Sequence, residues 1–319
     1  MKRSFTRFSP RLSAILVGLF CSAIVAQSAN RVITWGDLAC DMQASTDSGP
    51  QVAQIASGSF HELVLKNDWT VTAWGDNRFG QAEVPASLKR GMVRAVAAGN
   101  VHSLALLWTG KVVAWGPSNG QFGDLGQCTV PADLNRVVAV AAGALHSLAL
   151  KRDGTVVAWG DNNAGQCNVP DGLNDVVAIA GGAYHSVALK RDGSVVVWGS
   201  NAQGQRNMPE GLNAAVAVAA AGNHTLALKR DGTVVSWGTF GLAQCKVPGD
   251  LAGVVAIATG EYHGLALKSD GKVVTWGFNT AGQCNVPAGL RNVVAVAARG
   301  NHSTVLVNNS SRSRSWLHH

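Results

Sequence analysis

Seven histidines recur along this chain of 319 residues with a period of about 40 residues, which makes them the first candidates for chemistry. An imidazole can serve as a general base or as a metal ligand. A catalytic site, however, needs a base, an orienting partner and an acceptor in one place, and one residue in one repeated position lacks that asymmetry. We therefore expect a shared packing or hydrogen-bonding role for all seven, namely His61, His102, His146, His185, His224, His263 and His302.

Other residues of catalytic type form no recognisable motif. The sequence contains no GxSxG, HExxH, paired-cysteine metal site or dinucleotide fingerprint. Scattered acids such as Asp124, Asp161 and Glu261 could form a carboxylate pair of the glycosidase type, but nothing in the sequence selects one pair. We expect no catalytic residue, no metal and no cofactor.

Tryptophan followed by glycine recurs with the same rhythm, at spacings of 39 to 44 residues. Between these pairs, segments such as VVAIA, HSVALK and TVVAWG are rich in β-branched residues and bounded by glycine or by Asp-Gly, which favours strands over helices. The large indole rings are suited to fill the wedge between neighbouring units. We expect this structural role for Trp35, Trp74, Trp115, Trp159, Trp198, Trp237 and Trp276.

Each unit is predicted to be an antiparallel meander that turns before the histidine and again at Asp-Gly. The next stretch, DNNAGQCNVP in one unit, is expected to return partly as a fourth, outer strand, where its proline suits an edge. The chain starts with an isolated last strand, residues 31–36, and its final unit, residues 302–307, lacks one. Pairing the two predicts an all-β fold, a seven-bladed β-propeller closed by the N-terminal strand.

The two ends of the chain lie outside the repeats. Residues 1–29 combine basic residues with an apolar run, Leu12 to Val25, that is too short for a comfortable membrane span. This pattern is typical of an export signal. Residues 309–319 lack repeat character and are expected to form a disordered polar tail. We thus expect a propeller over residues 30–308 in a secreted or periplasmic protein, without membrane insertion.

Of the net charge of +7, these ends carry six positive charges. Residues 30–308 contain 20 of the 26 Lys and Arg residues and all 19 acidic residues, so the repeat region is nearly neutral. A nearly neutral ring does not favour binding to nucleic acid.

Five cysteines follow the predicted export signal. Four of them occupy the same position in different repeats, and these are Cys128, Cys167, Cys245 and Cys284. Equal positions on a seven-fold ring are too far apart for a disulfide except very near the axis. We expect small buried or half-buried thiols. The alternative is a bridge from Cys40 to Cys284 in a neighbouring loop.

The pattern WGxNxxGQ followed by VVAIAAGxxHSLALKxDGTVVAWG resembles the regulator-of-chromosome-condensation (RCC1-type) repeat family over residues 31–308. The 39-residue unit with GQ followed by VP is most similar to a secreted bacterial short-repeat branch, which includes β-lactamase inhibitory protein II. The resemblance implies a seven-bladed propeller and, from that branch, a ring face that binds another protein. Fold alone does not transfer function.

The loop face is defined here by the turns before the histidines and the loops after Trp-Gly, and the hairpin face by the Asp-Gly hairpins. Structural positions repeat, so functional positions should be those that vary, and the longest insertion, Pro117–Gln127, also lies on the loop face. Exposed aromatic residues are common anchors for partners, although these rings could instead pack across neighbouring turns. The predicted contacts are Phe60, Phe79, Phe122, Tyr184, Phe240, Glu261, Tyr262 and Phe278.

One irregularity is expected on the hairpin face. Trp69 replaces a hairpin glycine, and Leu107 and Trp108 replace charged residues in the next unit. An apolar patch there could bind a second partner or a neighbouring copy, or reflect drift of the repeat.

Taken together, these patterns predict an exported, monomeric, non-enzymatic module that binds a protein or a glycan through its loop face. A structural or surface-display role without a tight partner is the alternative class. Inhibition of a secreted enzyme is a narrower possibility. Guanine-nucleotide exchange, known for nuclear members of the family, is disfavoured by the export signal and the nearly neutral ring.

Overall fold

A computed structural model describes residues 30–37, 51–118, 120, 123–239, 243 and 246–308. These residues form seven antiparallel sheets of three strands each, and a short 3₁₀ helix spans Ala86–Arg90. The sheets are the blades of a β-propeller, and the predicted all-β fold with seven blades is confirmed.

Blades are numbered here in chain order, three strands to a blade, with blade 7 completed by the first strand of the chain. Blades 1 to 3 contain β2 (Val52–Ser57), β3 (His61–Lys66), β4 (Val71–Gly75), β5 (Val93–Ala98), β6 (Ser103–Leu107), β7 (Val112–Trp115), β8 (Val137–Ala142), β9 (His146–Lys151) and β10 (Val156–Gly160). Blades 4 to 7 contain β11 (Val176–Gly181), β12 (His185–Lys190), β13 (Val195–Gly199), β14 (Ala215–Ala221), β15 (His224–Lys229), β16 (Val234–Gly238), β17 (Val254–Thr259), β18 (His263–Lys268), β19 (Val273–Gly277), β20 (Val293–Arg299), β21 (His302–Asn308) and β1 (Asn30–Gly36).

The first strands of the blades line the axis of the ring. Each of them contacts the first strand of the next blade, and β20 contacts β2, so the ring is closed. These inner strands are rich in alanine, because only small side chains fit where seven strands converge. The middle strands are buried from the histidine onward, as in β9, where His146 to Leu150 are all buried.

Closure depends on β1, which pairs with β21 at the edge of blade 7. Arg31 lies opposite Val307, and Gly36 lies opposite His302, so the register covers both strands completely. The predicted pairing of the N-terminal strand with the last unit is confirmed. Two strands that are more than 250 residues apart in the sequence thus complete one sheet. Across it, the hydroxyl oxygens of Thr34 and Thr304, which are 270 residues apart in the sequence, lie 3.1 Å from each other.

Every blade has an irregularity at the start of its first strand, near the hairpin face. In blade 4, Val176 pairs with Lys190 and Ala178 with Leu189, so one residue of β11 has no counterpart. The same shift occurs in all seven blades. Such a bulge increases the local twist of the sheet, which suits the strongly twisted blades of a propeller.

The prediction of a fourth, outer strand is wrong, because each sheet of the described residues has three strands. In blade 3 the stretch after Trp159 contains turns and irregular backbone, because side chains satisfy its backbone donors. The Oε1 of Gln166 accepts from the amide of Ala164, and the Oδ1 of Asn162 accepts from the amide of Cys167. These amides are therefore not available for a sheet ladder.

Several predictions lie outside the described residues. They are the export signal over residues 1–29, the tail over residues 309–319, and a bridge from Cys40. In the part of the chain that the structure describes, no helix has the length and apolar character required to cross a membrane.

Candidate functional site

The seven histidines form a buried ring of contacts between blades. Each begins the middle strand of its blade, or directly follows the turn that leads into it, and each is 0% exposed. The Nε2 atom of each lies within hydrogen-bond distance of an oxygen atom on the following blade. The pairs are His61–Ser103, His102–Ser147, His146–Ser186, His185–Thr225, His224–Thr259, His263–Ser303 and His302–Glu62.

The serine partners determine the direction of these hydrogen bonds. The hydroxyl of Ser186 donates to the carbonyl of Gln166 at 2.7 Å, so its oxygen accepts from Nε2–H of His146 at 3.0 Å. Gly264 takes the serine position in blade 6, and the ring of Trp276 fills the space that a Cβ would need there. His224 then bonds to Thr259 of the adjacent strand.

Burial suppresses protonation of the histidines. Desolvation lowers the pKa of His61, His146, His185 and His263 to about 3 and that of His224 to about 4, and it holds the pKa of His102 well below its ordinary value. The Nδ1 atoms of all seven are buried without a hydrogen-bond partner among the described residues. All seven histidines are inaccessible groups that join blades, and the six with lowered pKa values are neutral.

Tryptophans near the ends of the last strands make a second set of contacts between blades. The Nε1–H of Trp159 donates to the carbonyl of Gln127 in the preceding loop, at 2.9 Å. Trp35, Trp115, Trp198 and Trp237 make the equivalent bond to the glutamine of the GQ pair that precedes their own blade. Trp276 is likewise buried.

Trp74 differs from the other six tryptophans. Its side chain is only partly buried, and its buried Nε1 has no hydrogen-bond partner among the described residues. No GQ pair occurs in the sequence between Trp35 and Trp74. The contact that five of its counterparts make to a glutamine carbonyl is therefore not formed in blade 1.

The loop face is assembled by backbone hydrogen bonds between the turns and the loops. The amide of Phe278 donates to the carbonyl of Tyr262, and the amide of Ser200 donates to that of Tyr184, each at 2.9 Å. Neighbouring turns are also joined, as by the amide of Ala183 and the carbonyl of Gly222 at 2.7 Å. The structure thus places the turns before the histidines and the loops after Trp-Gly on one face.

The aromatic residues predicted on this face are exposed at several points around the ring. Phe60 is 43% exposed, Tyr184 49%, Tyr262 45% and Phe278 40%. Tyr262 and Phe278 pack edge to face, with ring centroids 6.1 Å apart, so blade 6 has an aromatic pair. The two rings belong to a turn and a loop of the same blade, and both keep a large exposed fraction.

The remaining predicted contacts are less uniform. Phe79 and Glu261 are partly buried, while Phe122 and Phe240 lie outside the described residues. The insertion in blade 2 contributes a residue that the sequence did not single out: Leu125 is 44% exposed. The amide of Leu125 donates to Oε1 of the buried Gln127, which holds it at the surface.

A polar cluster at the axis was also not predicted. Arg299 of blade 7 extends to the opposite side of the ring, where its Nη1 donates to the carbonyl of Ala142 at 2.9 Å and its Nε to Oδ1 of Asn100 at 3.3 Å. Ser59 donates to the same oxygen at 2.8 Å. Burial lowers the pKa of Arg299 to about 10, and the negative charge of Glu261 opposes that shift. The only signal in the sequence was an arginine at a position where five blades have glycine.

On the hairpin face, the structure brings two predicted residues together. The rings of Trp69 and Trp108 pack edge to face with centroids 5.1 Å apart, and both are exposed, at 39% and 50%. Leu107 is partly buried beside them. Met92, at a position that no sequence pattern marked, is 46% exposed, and its carbonyl accepts a hydrogen bond from the amide of Trp108.

The thiols that the structure describes are Cys128, Cys167 and Cys284, all partly buried and unpaired. Burial raises the pKa of Cys128 and Cys167 to about 12, and that of Cys284 above its ordinary value. The described residues contain no group of three or more His, Cys, Asp or Glu side chains arranged to hold a metal ion.

Comparison with known proteins places these features in context. The family model of the regulator of chromosome condensation (RCC1) repeat matches residues 52–81, 137–166, 176–205, 215–241 and 254–283. These segments correspond to blades 1, 3, 4, 5 and 6. Among curated proteins, none matches the sequence significantly.

Solved structures share the fold at low sequence identity. Prp20p from Saccharomyces cerevisiae, studied for its binding to Gsp1p and histones, is 20% identical, with a TM-score of 0.74 over 90% of this chain and 93% of its own. Human WBSCR16 is 18% identical, with a TM-score of 0.69 over 89% and 100%. The ectodomain of the receptor kinase CR4 from Physcomitrella patens is 22% identical, with a TM-score of 0.62 over 76% and 66%.

Proposed function

Because the chain is an RCC1-type repeat β-propeller, we propose that it is a non-enzymatic binding module whose loop face contacts a protein partner. The observation that carries this proposal is the exposure of Phe60, Tyr184, Tyr262 and Phe278, each at least 40%, on one face. Exposed aromatic side chains on a rigid support lose little entropy on binding and are frequent anchors of protein interfaces.

The framework beneath the loop face supports this proposal. The turns that present Phe60, Tyr184 and Tyr262 each precede a fully buried histidine, and that histidine is bonded to the next blade. The aromatic residues are thus displayed at fixed positions on separate blades. Recognition of a folded surface benefits from such preorganisation, because less order has to be imposed when the complex forms.

Binding rather than catalysis fits the titratable groups. The seven histidines are fully buried, burial lowers the pKa of six of them, and the described thiols have raised pKa values, so neither class supplies an accessible base or nucleophile. The yeast neighbour Prp20p was studied for its binding to Gsp1p and histones, which shows that a propeller of this fold can serve as a binding surface.

Export is part of the same proposal. The basic and apolar pattern of residues 1–29 supports passage out of the cytoplasm, which would place the loop face in the periplasm or outside the cell. The partner would then be a secreted or envelope protein, in keeping with the similarity of the short repeat to the secreted bacterial branch. Detection of the protein in the extracytoplasmic fraction, with the first residue determined by N-terminal sequencing, tests this part separately.

The binding proposal is tested by capture with matched variants. Tyr184→Ala and Tyr262→Ala are combined in one protein, and Val255→Ala, which truncates an equally exposed residue away from the loop face, is the control. Partners from extracytoplasmic extracts are identified by mass spectrometry, and their affinity is then measured with purified protein. We expect a stoichiometric partner that the parent and the control retain and that the tyrosine variant loses. A partner bound equally by all three proteins would contradict the loop-face assignment.

A further inference from the structure

The hairpin face has an apolar patch that the proposed function does not use. This hairpin patch consists of Trp69, Met92, Leu107 and Trp108 at the adjoining hairpins of blades 1 and 2. Trp69 has φ = 64°, a left-handed conformation, whereas five other hairpins have glycine at this position, with φ between 80° and 86°. A tryptophan at such a position is strained, because residues other than glycine rarely adopt this conformation.

A row of cations continues from this patch around the same face. The position of Trp108 is occupied in blades 3, 4 and 5 by Arg152, Arg191 and Arg230, which are all exposed. The equivalence is structural, because each of these amides donates to the residue that precedes the first strand of its blade. Arg94 lies over the ring of Trp108, with its Cζ 5.5 Å from the centroid.

The acidic residues of these hairpins are engaged locally. Asp153 accepts from the amide and hydroxyl of Thr155 and pairs with Lys151, and Asp231 does the same with Thr233 and Lys229. Among the described residues, none of these aspartates forms an ion pair with the arginines of the row. With one lysine, one arginine and one aspartate in each turn, the hairpins of blades 3, 4 and 5 carry a net charge of +1 each, which the exposed Asp175 offsets beside Arg191. The row is therefore weakly cationic and lies beside an apolar patch.

The arrangement of the two indoles restricts the partner. Their edge-to-face packing and the guanidinium over Trp108 occupy ring faces that a nucleobase or a sugar would need for stacking. A symmetric dimer through the patch would bring the arginine row of one copy towards that of the other, which like-charge repulsion opposes. A bilayer with anionic headgroups accommodates all of these groups. Indole edges and a thioether enter its interface, and arginines lie over its headgroups.

We propose that the hairpin face docks on anionic phospholipid membranes, with Trp69, Met92 and Trp108 entering the interface and Arg152, Arg191 and Arg230 lying over the headgroups. The loop face, at the opposite end of the ring, then points away from the membrane. Docking at the hairpin face and partner binding at the loop face are independent, so one can fail while the other holds.

The test is co-sedimentation of the purified protein with vesicles of phosphatidylcholine alone or mixed with phosphatidylglycerol. The variant Trp69→Gly/Trp108→Arg gives both hairpins the residues of their counterparts, so it is expected to fold. It removes apolar area and adds a cation. We expect parent binding only to the anionic vesicles and about tenfold weaker binding by this variant. Equal or tighter vesicle binding by this variant would show that charge alone drives the binding, and would overturn the proposal.

The cationic part is tested with Arg152→Gln/Arg191→Gln/Arg230→Gln. Each arginine near an anionic surface strengthens binding by about fivefold, so the triple variant should bind on the order of a hundredfold more weakly. Tyr184→Ser/Tyr262→Ser on the loop face is the control and should bind like the parent. The basic ends of the chain are the same in all variants, so they do not contribute to these differences.

Penetration of Trp69 and Trp108 into the bilayer is measured by the quenching of tryptophan fluorescence by lipids that are brominated in their acyl chains. The parent should be quenched, and Trp69→Phe/Trp108→Phe should bind but lose most of the quenching. Sedimentation equilibrium without lipid and competition by DNA address the other occupants. The membrane assignment would be overturned if the parent forms a dimer that the Trp69→Gly/Trp108→Arg variant loses. It would also be overturned if this variant retains both DNA binding and vesicle binding.

Discussion

The Nε2 of His302 lies 3.0 Å from Oε1 of Glu62, and this contact joins the last blade of the ring to the first. Both side chains are fully buried. The same oxygen of Glu62 accepts from the hydroxyl of Ser57 at 2.8 Å and from that of Thr304 at 2.6 Å. A carboxylate therefore takes the place that a hydroxyl occupies in most other blades, at the point where the ring is closed by residues far apart in sequence.

Replacement of Glu62 by alanine should destabilise the propeller by about 3 to 5 kcal/mol. The variant leaves three buried donors without their acceptor, and each buried donor left unpaired costs about 1 to 3 kcal/mol. The free energy of unfolding in urea measures it. Glu83→Ala, at an exposed acidic residue, is the control and should change stability by less than about 0.5 kcal/mol. Similar stabilities of the two variants would contradict a closing role for Glu62.

The number of blades and the closure could be predicted because both follow from short-range patterns that repeat. Trp-Gly, Asp-Gly and the histidines each mark a strand end, and residues 31–36 supply the strand that the final unit lacks. The fourth strand was wrong for a local reason. The side chains of Asn162 and Gln166 bind backbone amides of their own loop, and strand propensity does not reveal that competition.

The polar cluster at the axis could not be predicted from sequence. Arg299 bonds to Asn100 and Ala142, which precede it by 199 and 157 residues, and no local pattern links them. The hairpin patch was predicted in part, since Trp69 and Trp108 depart from the repeat, but Met92 became part of it only through the fold. For the loop face, the sequence identified which residues vary, and the structure showed which of these are exposed.

The stability of the propeller should fall steeply in acid. Burial lowers the pKa of six histidines, so the folded protein excludes protons that the unfolded chain binds below its ordinary pKa of 6.5. Stability is thus complete above about pH 6.5 and is lost as the pH falls towards the folded values. A histidine with a folded pKa of about 3 contributes a loss of about 2 kcal/mol at pH 5.

Unfolding in urea between pH 8 and pH 4.5 measures this dependence. Several such histidines together exceed the usual stability of a domain, so we expect spontaneous unfolding within this range. Uptake of several protons on unfolding at pH 5, measured by calorimetry in two buffers, is the independent check. A midpoint that stays constant down to pH 5 would show that the buried histidines do not govern acid stability.

Arg299→Ala should make the protein less sensitive to acid. After burial, the charge of Arg299 is the next largest cause that lowers the pKa of His61, His102 and His146. Alanine stands at the same position in blade 5, as Ala221 before Gly222, so the backbone accepts it. Without the arginine, these histidines protonate more easily in the folded state, and the difference in proton uptake between folded and unfolded chains decreases.

The measurement is the pH at which half of the protein is unfolded in acid titration. We expect a shift to lower pH for Arg299→Ala relative to the parent. Arg206→Ala, at an exposed arginine of the loop face, should leave this pH unchanged. A shift to higher pH would indicate that the hydrogen bonds of Arg299 to Ala142 and Asn100 outweigh its repulsion of the histidines.

The tryptophans allow a matched comparison within one repeat position. Trp159→Phe removes the Nε1–H that donates to the carbonyl of Gln127, and leaves that carbonyl with the hydroxyl of Ser147 at 3.0 Å as its remaining donor. The expected loss is about 1 kcal/mol for the hydrogen bond, together with a smaller loss from reduced packing. Trp74→Phe removes a buried N–H that has no partner among the described residues, so its expected effect is close to zero or slightly stabilising.

Both changes keep an aromatic ring at the wedge between blades, so the difference between their free energies of unfolding isolates the hydrogen bond. Urea unfolding at pH 8 avoids the protonation of the histidines. If the indole N–H groups link each blade to the loop before it, Trp159→Phe must lower the free energy of unfolding more than Trp74→Phe does. Equal losses would mean that the tryptophans act through their volume alone, and that the GQ carbonyls are adequately satisfied by the serine hydroxyls.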